Sequence, residues 1–192
     1  MFSLYRKVQF FEANQSDLNE ICNLVQATFG PHPKAEDIFG KWIREPQYHV
    51  TVAKYQGSMI GMAASSINPS PDLPKYECFG NMAVDFLKDQ KLGWFLTLAV
   101  SPKFRKKSIG WNLAREQAEW LKGQGCSALI GSSWVSGSED NSDHMFIKAG
   151  FKKLGESDDF LRNQLRGTGS VCSACGKTEC ECKSVLYGSL IK

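Results

Sequence analysis

Two clusters in this 192-residue sequence combine residue types and spacings that could do chemistry. The first runs Val100, Ser101, Pro102, Lys103, Phe104, Arg105, Lys106, Lys107, Ser108, Ile109, Gly110, Trp111, Asn112, Leu113. A nearly unbroken apolar run, Gly93 to Val100, enters Pro102. A basic turn follows, and a helical pattern begins at once, with small residues at Ser108 and Gly110. Main-chain N–H groups at a helix start have no partner inside the helix, and its dipole adds partial positive charge, so such a turn can hold an anion. Small side chains let a phosphate approach the backbone, and Arg105, Lys106 and Lys107 supply full charges that suit a diphosphate. A solvated basic turn ahead of an ordinary helix has the same backbone pattern, so the pattern alone does not decide between them.

The second cluster is Cys172, Cys175, Cys180 and Cys182, spaced as Cys-x2-Cys, four residues, then Cys-x-Cys. Four thiolates satisfy tetrahedral zinc, and Cys-x2-Cys followed by Gly176 resembles the first knuckle of a zinc ribbon. The interval between the pairs is too short for a full ribbon, so a knuckle-sized loop is expected. Two disulfides, or four unconnected thiols, remain alternatives. In a reducing compartment, thiols held this close point to metal. Cys22, Cys78 and Cys126 stand among apolar neighbours and read as buried thiols.

These clusters need a scaffold. A hydrophobic share of 42% supplies a core, and the net charge of +3 is too mild to indicate a nucleic-acid binder. No apolar run reaches the roughly 18 to 20 residues of a membrane span, and Met1 to Gln15 has no signal-like segment, so a cytoplasmic protein is expected. The pattern predicts a strand over 6–13, then a helix capped by Ser16 and stopped at Gly30-Pro31. It predicts a second helix over 34–44 with Ile38, Trp42 and Ile43 inward. A hairpin follows, 49–55 and 59–67, turning at 56–58. Residues 68–74 form a loop, and 75–91 hold a strand end and a helix around 82–89. A buried strand occupies 93–100 and a helix 108–123, with Leu113, Ala114, Ala118 and Leu121 as its apolar stripe. A strand at 127–135, a helix at 138–149 closed by Gly150, and strands at 151–155 and 185–191 complete an α/β chain with a mixed sheet.

The stretch Leu98 to Leu113 resembles the cofactor-binding segment of the GNAT N-acetyltransferases, Val-x-Pro followed by Arg/Gln-x-x-Gly-x-Gly/Ala. Arg105, Ser108 and Gly110 stand at the marked positions, with Ser108 in place of the usual Gly. The element order is similar too, and Lys148-Ala149-Gly150-Phe151 is similar to the family's Tyr-x-x-x-Gly-Phe ending. The resemblance implies one GNAT domain over 1–192, its mostly antiparallel mixed sheet flanked by helices and splayed between strands 93–100 and 127–135. Acetyl-CoA would lie in that splay. Leu98, Ala99 and Val100 would pair with its pantetheine arm, and Arg105, Lys106, Lys107, Ser108, Ile109, Gly110 and Trp111 would hold its pyrophosphate. Asn141 would bind cofactor amides. A primary amine, on a small molecule or a protein, would attack the thioester directly, so that catalysis is positioning plus proton removal. The zinc knuckle, 168–184, would be inserted between the last two strands, beside the acceptor cleft.

The catalytic groups depart from the family pattern. Its usual tyrosine proton donor corresponds here to Phe146, which has no proton to give. His144 is a candidate acid, and Glu77, Glu139 or Asp140 are candidate bases acting through water, although each also reads as a surface or capping residue. Two other readings stay open. The knuckle with Lys103 to Lys107, Lys152 and Lys153 could contact nucleic acid or protein, and the scaffold could bind cofactor without catalysis.

Overall fold

The computed structural model describes residues 8–68, 71–135, 142–172 and 175–191. The chain opens with strand β1 (Val8–Glu12) and helices α1 (Leu18–Phe29) and α2 (Ala35–Arg44). The hairpin β2 (Tyr48–Tyr55) and β3 (Ser58–Asn68), helix α3 (Asn81–Leu87) and strand β4 (Leu92–Val100) follow. Helix α4 (Ile109–Gly123), β5 (Ala128–Val135), α5 (Asp143–Lys148), β6 (Lys152–Ser157), α6 (Phe160–Leu165) and β7 (Lys183–Leu190) complete it. The strands form one sheet in the order β1-β2-β3-β4-β5-β7-β6, antiparallel except for the β4–β5 pair. No helix among the described residues is long and apolar enough to cross a membrane.

Local chemistry explains most boundaries and corrects several expectations. The cap ahead of α1 is Asn14 and not Ser16. The Ser16 N–H and hydroxyl donate to Asn14 Oδ1 at 2.9 and 2.6 Å, and the Asn14 N–H donates to Asp17 at 3.0 Å. This reciprocal box starts a short 3-10 turn, Gln15–Asp17, from which α1 continues. Gln56 (φ 51°) and Gly57 (φ 80°) alone turn the hairpin, the left-handed pair that a two-residue connection demands. The expected strand end after residue 75 is a 3-10 helix, Leu73–Phe79, with Pro74 near its start, where a missing N–H costs nothing.

The sheet buries both faces. On one, Val50, Val52, Met62, Ala64 and Ala99 meet Ile21, Val25 and Phe39 of α1 and α2. Phe39 is the buried side of α2, while Ile38, Trp42 and Ile43 are only half-buried, so that helix is turned slightly from the expected face. On the other face, Ala53, Ile60, Ala63 and Val100 meet Ile109 and Leu113 of α4. Ala114 and Ala118 are half-buried, and buried Gln117 completes the stripe, donating to Thr51 Oγ1 at 2.8 Å. Helix α6, between the last two strands, has no counterpart in the sequence reading. Cys22 and Cys126 are buried as expected, but Cys78 is exposed on the 3-10 helix.

Candidate active site and cysteine cluster

The sheet is held together at β4–β5 by four pairs only, from Leu92↔Ala128 to Phe95↔Gly131. Beyond that point β4 runs on to Val100 against β3, and β5 runs on to Val135 against β7. The departure coincides with a bulge. The register passes from Ser65↔Phe95 to Ala64↔Thr97 and leaves Leu96 without an opposite residue. An extra residue bends and twists its strand, which turns β4 away from β5. On the α5 side, Phe146 lies so close to β5 that a Cβ added at Gly131 would stand 2.5 Å from its ring. Phe146 is buried and stacks on Tyr187 at 5.0 Å, with 9° between planes. The Tyr187 hydroxyl donates to Asp143 Oδ1 at 3.0 Å, and burial together with that carboxylate pushes the phenol up to about 12. Phe146 is thus a packing wedge in the place where the sequence resemblance expects a hydroxyl.

A cavity of about 1840 Å³ lies at this split and is lined from both faces of the sheet. One mouth lies over the turn between β4 and α4. Lys106 (φ 56°) and Ser108 (φ 59°) both adopt the left-handed conformation, which costs a non-glycine residue on the order of 1 kcal/mol. The Ser108 side chain makes no capping bond to α4. Among the described residues, no main-chain hydrogen bond is donated by the N–H groups of residues 106–111. The Arg105 Nε donates to the Val100 carbonyl at 3.2 Å, and the Lys107 ammonium donates to the Lys103 carbonyl at 2.8 Å and lies 5.3 Å from the Phe104 ring. Two of the three basic side chains therefore brace the turn, while Lys106 is exposed. Leu98, Val100, Ile109, Gly110 and Trp111 line the cavity, and Ala99 turns into the α1–α2 core.

Two of the expected acid–base residues, His144 and Glu77, are among the described residues, and they are not brought together. His144 is exposed at the cavity edge, whereas Glu77 is exposed on the 3-10 helix and is not among the lining residues. Glu139, Asp140 and Asn141 lie outside the described residues. The sequence reading missed the other mouth, which is aromatic. Phe29 meets Trp134 edge-on at 5.7 Å, Trp42 stacks on Tyr48 at 5.9 Å, and Tyr76 lies 5.3 Å from Trp94. Thr97 and Ser132 face the opening on the two strands. A signal existed: Trp134 interrupts an otherwise aliphatic or small-residue strand, and Trp94 with Phe95 adds aromatic rings to β4.

Beside that mouth, the four sulfurs of Cys172, Cys175, Cys180 and Cys182 lie within 4.8 Å of one another. The Cys172–Cys182 and Cys175–Cys180 separations are 3.9 and 4.0 Å, far longer than a disulfide. Zinc–sulfur bonds of about 2.3 Å in a tetrahedron set sulfurs about 3.8 Å apart, so the residues fit that ion. Gly176 (φ 69°) makes the knuckle turn, its N–H donating to the Cys172 carbonyl at 2.8 Å. N–H groups of Glu181 and Lys177 draw the Cys175 thiol down to about 7, while burial pushes Cys180 up to about 11 and raises Cys182. Leu161, Leu165 and Trp134 pack around the cluster, and the Arg162 Nε donates to the Cys180 carbonyl at 3.3 Å.

Residues 18–151 match the model of the Acetyltransferase (GNAT) family. The chain belongs to the GNAT family. Solved structures agree with that fold. The Arabidopsis thaliana NAA60 complex with acetyl-CoA superposes with a TM-score of 0.70 at 15% identity, over 96% of this chain and 98% of the other. A putative GNAT acetyltransferase from Desulfovibrio desulfuricans gives 0.66 at 15% identity, over 96% and 99%. The ribosomal-protein-S18-alanine N-acetyltransferase from Escherichia coli gives 0.65 at 12% identity, over 96% and 94%. A search of curated protein sequences finds no match. The segment matched to the GNAT family ends before β6, so the cysteine cluster lies outside it and before the last strand.

Proposed function

We propose that this GNAT chain is an N-acetyltransferase that moves the acetyl group of acetyl-CoA to a primary amine. One observation carries the reading: the split between β4 and β5 ends at a turn whose N–H groups, 106–111, have no main-chain partner among the described residues. From Leu96 to Val100, β4 lacks its β5 neighbour, and such an edge can accept the amide-bearing pantetheine arm as it would a strand. The amides of 106–111, the start of α4 and Lys106 then hold the pyrophosphate. A Cβ at Gly110 would stand 3.3 Å from the Leu98 side chain, so glycine there lets α4 start close against the β4 edge.

The thioester carbon would lie at the Leu96 bulge, within reach of an amine entering from the aromatic mouth. The amine nitrogen bonds to the acetyl carbon, the C–S bond breaks, the nitrogen loses a proton to water, and the thiolate gains one from water. Phe146 donates nothing, and a thiolate is a good enough leaving group to tolerate this. The four cysteines would hold zinc as a closed structural site, which fixes the loop ahead of β7 and leaves no position for substrate.

Calorimetry tests the reading. Acetyl-CoA should bind the wild type, and Gly110→Asp, which sets a carboxylate against the pyrophosphate, should weaken it by about 100-fold or more at unchanged melting temperature. Equal heats for the two proteins would contradict it. The hydroxyl-free Phe146 favours a second reading, cofactor binding without transfer. Acceptor-dependent release of free thiol separates the two.

A further inference from the structure

The acceptor half of the cavity is built for a flat apolar group. We infer that the amine acceptor is an arylalkylamine and that Trp134 selects it; the inference rests on the transferase reading. Past Gly131, β5 no longer pairs with β4, and Ser132 and Trp134 line the acceptor mouth. Trp134 is held on two sides. The cysteine cluster with Leu161 and Leu165 packs against it, and Phe29 meets its ring at 5.7 Å with 62° between planes. Trp94 and Tyr76 form the floor, and Trp42 stacked on Tyr48 stands at the α2 side. Val171 and Cys172 line the same mouth, so the clasped loop is its wall.

Charge argues against a polyamine. Among the described residues on this side, the titratable lining groups other than tyrosine and cysteine are His32, Asp72 and Lys75. His32 Nδ1 accepts from the Lys34 N–H at 3.2 Å, and the Lys75 ammonium lies 5.2 Å from the Trp94 ring. A polyamine would meet one carboxylate, Asp72, among the described residues of this mouth. An aryl group would instead fill the aromatic lining. Its amine, drawn out of water, would be biased toward the neutral form that attacks. This supplies part of what a base residue would do.

The test uses the zinc-loaded full chain with 2-phenylethylamine, spermidine and glucosamine. Binding is measured in the presence of CoA, and thiol release in the presence of acetyl-CoA. 2-Phenylethylamine should bind and turn over with kcat/KM about 10- to 100-fold above spermidine and glucosamine, the range expected for burying an aromatic group. Trp134→Ala should remove most of that advantage through KM, Trp134→Phe should keep most of it, and acetyl-CoA affinity should be unchanged in both. Equal or better use of spermidine or glucosamine, a Trp134→Phe variant no better than alanine, or no heat with 2-phenylethylamine while acetyl-CoA binds would each overturn the inference and leave the transferase reading standing. Failure to bind acetyl-CoA at all would overturn both.

Discussion

Asp17 shows how single residues tie the fold together. It is 3% exposed, accepts from the Lys54 ammonium at 2.6 Å and from the Asn14 N–H, and so joins the start of α1 to β2. Burial acts to raise its carboxyl, but Lys54 and Asn14 outweigh burial and hold it below its ordinary value. A depressed acid stabilises the fold above its unfolded value and loses that contribution as pH falls through the folded one. Asp17→Asn should therefore lower stability by about 2 kcal/mol at pH 7, with the deficit shrinking below roughly pH 4 in urea titrations. A deficit independent of pH would mean that the charge contributes nothing. Gly131 makes the second residue-scale case, because its missing side chain is filled by Phe146. Gly131→Ala should push Phe146 and α5 outward, costing about 1–3 kcal/mol and weakening acetyl-CoA binding, measured by thermal melting and calorimetry. The Asn14 cap was harder to read than a local pattern should be. Ser16 and Asn14 are both good caps, and only the Asp17 box distinguishes them.

At the scale of elements, the cysteine loop joins α6 to β7 and stands against Trp134. The purified chain should carry about one zinc, by elemental analysis. Removing it with a chelator should lower the melting temperature and open 166–182 to protease, while acetyl-CoA binding, which the proposal puts on the far face of the sheet, should persist. A metal-free protein with the same melting curve would contradict the structural role. The cluster was legible because four cysteines within eleven positions announce themselves in any fold. Helix α6 was not, because its six residues are too few for a helical period and follow glycine and charged residues. The basic turn was equally local, with Pro102, three consecutive basic residues and Gly110 all visible. What the sequence could not convey was how the basic side chains are spent. Arg105 and Lys107 reach main-chain carbonyls on neighbouring segments and so brace the turn as well as charge it.

At the scale of the molecule, the order of strands and helices followed from alternating periodicities, and the seven-stranded mixed sheet agrees with that reading. The site within it was only half legible. The Leu96 bulge depends on which β3 residues β4 meets, and the aromatic mouth gathers Phe29, Trp42, Trp94 and Trp134 from four separate elements. No window of sequence contains those encounters. Glu77 fell outside the cavity for the same reason, since closeness to a strand end says nothing about which way a 3-10 helix faces. The account stands on the N–H groups of residues 106–111 receiving a pyrophosphate, and amide chemical shifts report on them one by one. Titration with CoA should displace the amide signals of 106–111 strongly, and titration with pantetheine, which lacks the pyrophosphate, should leave them near their starting positions. Signals that respond alike to both compounds, or to neither, would contradict the account.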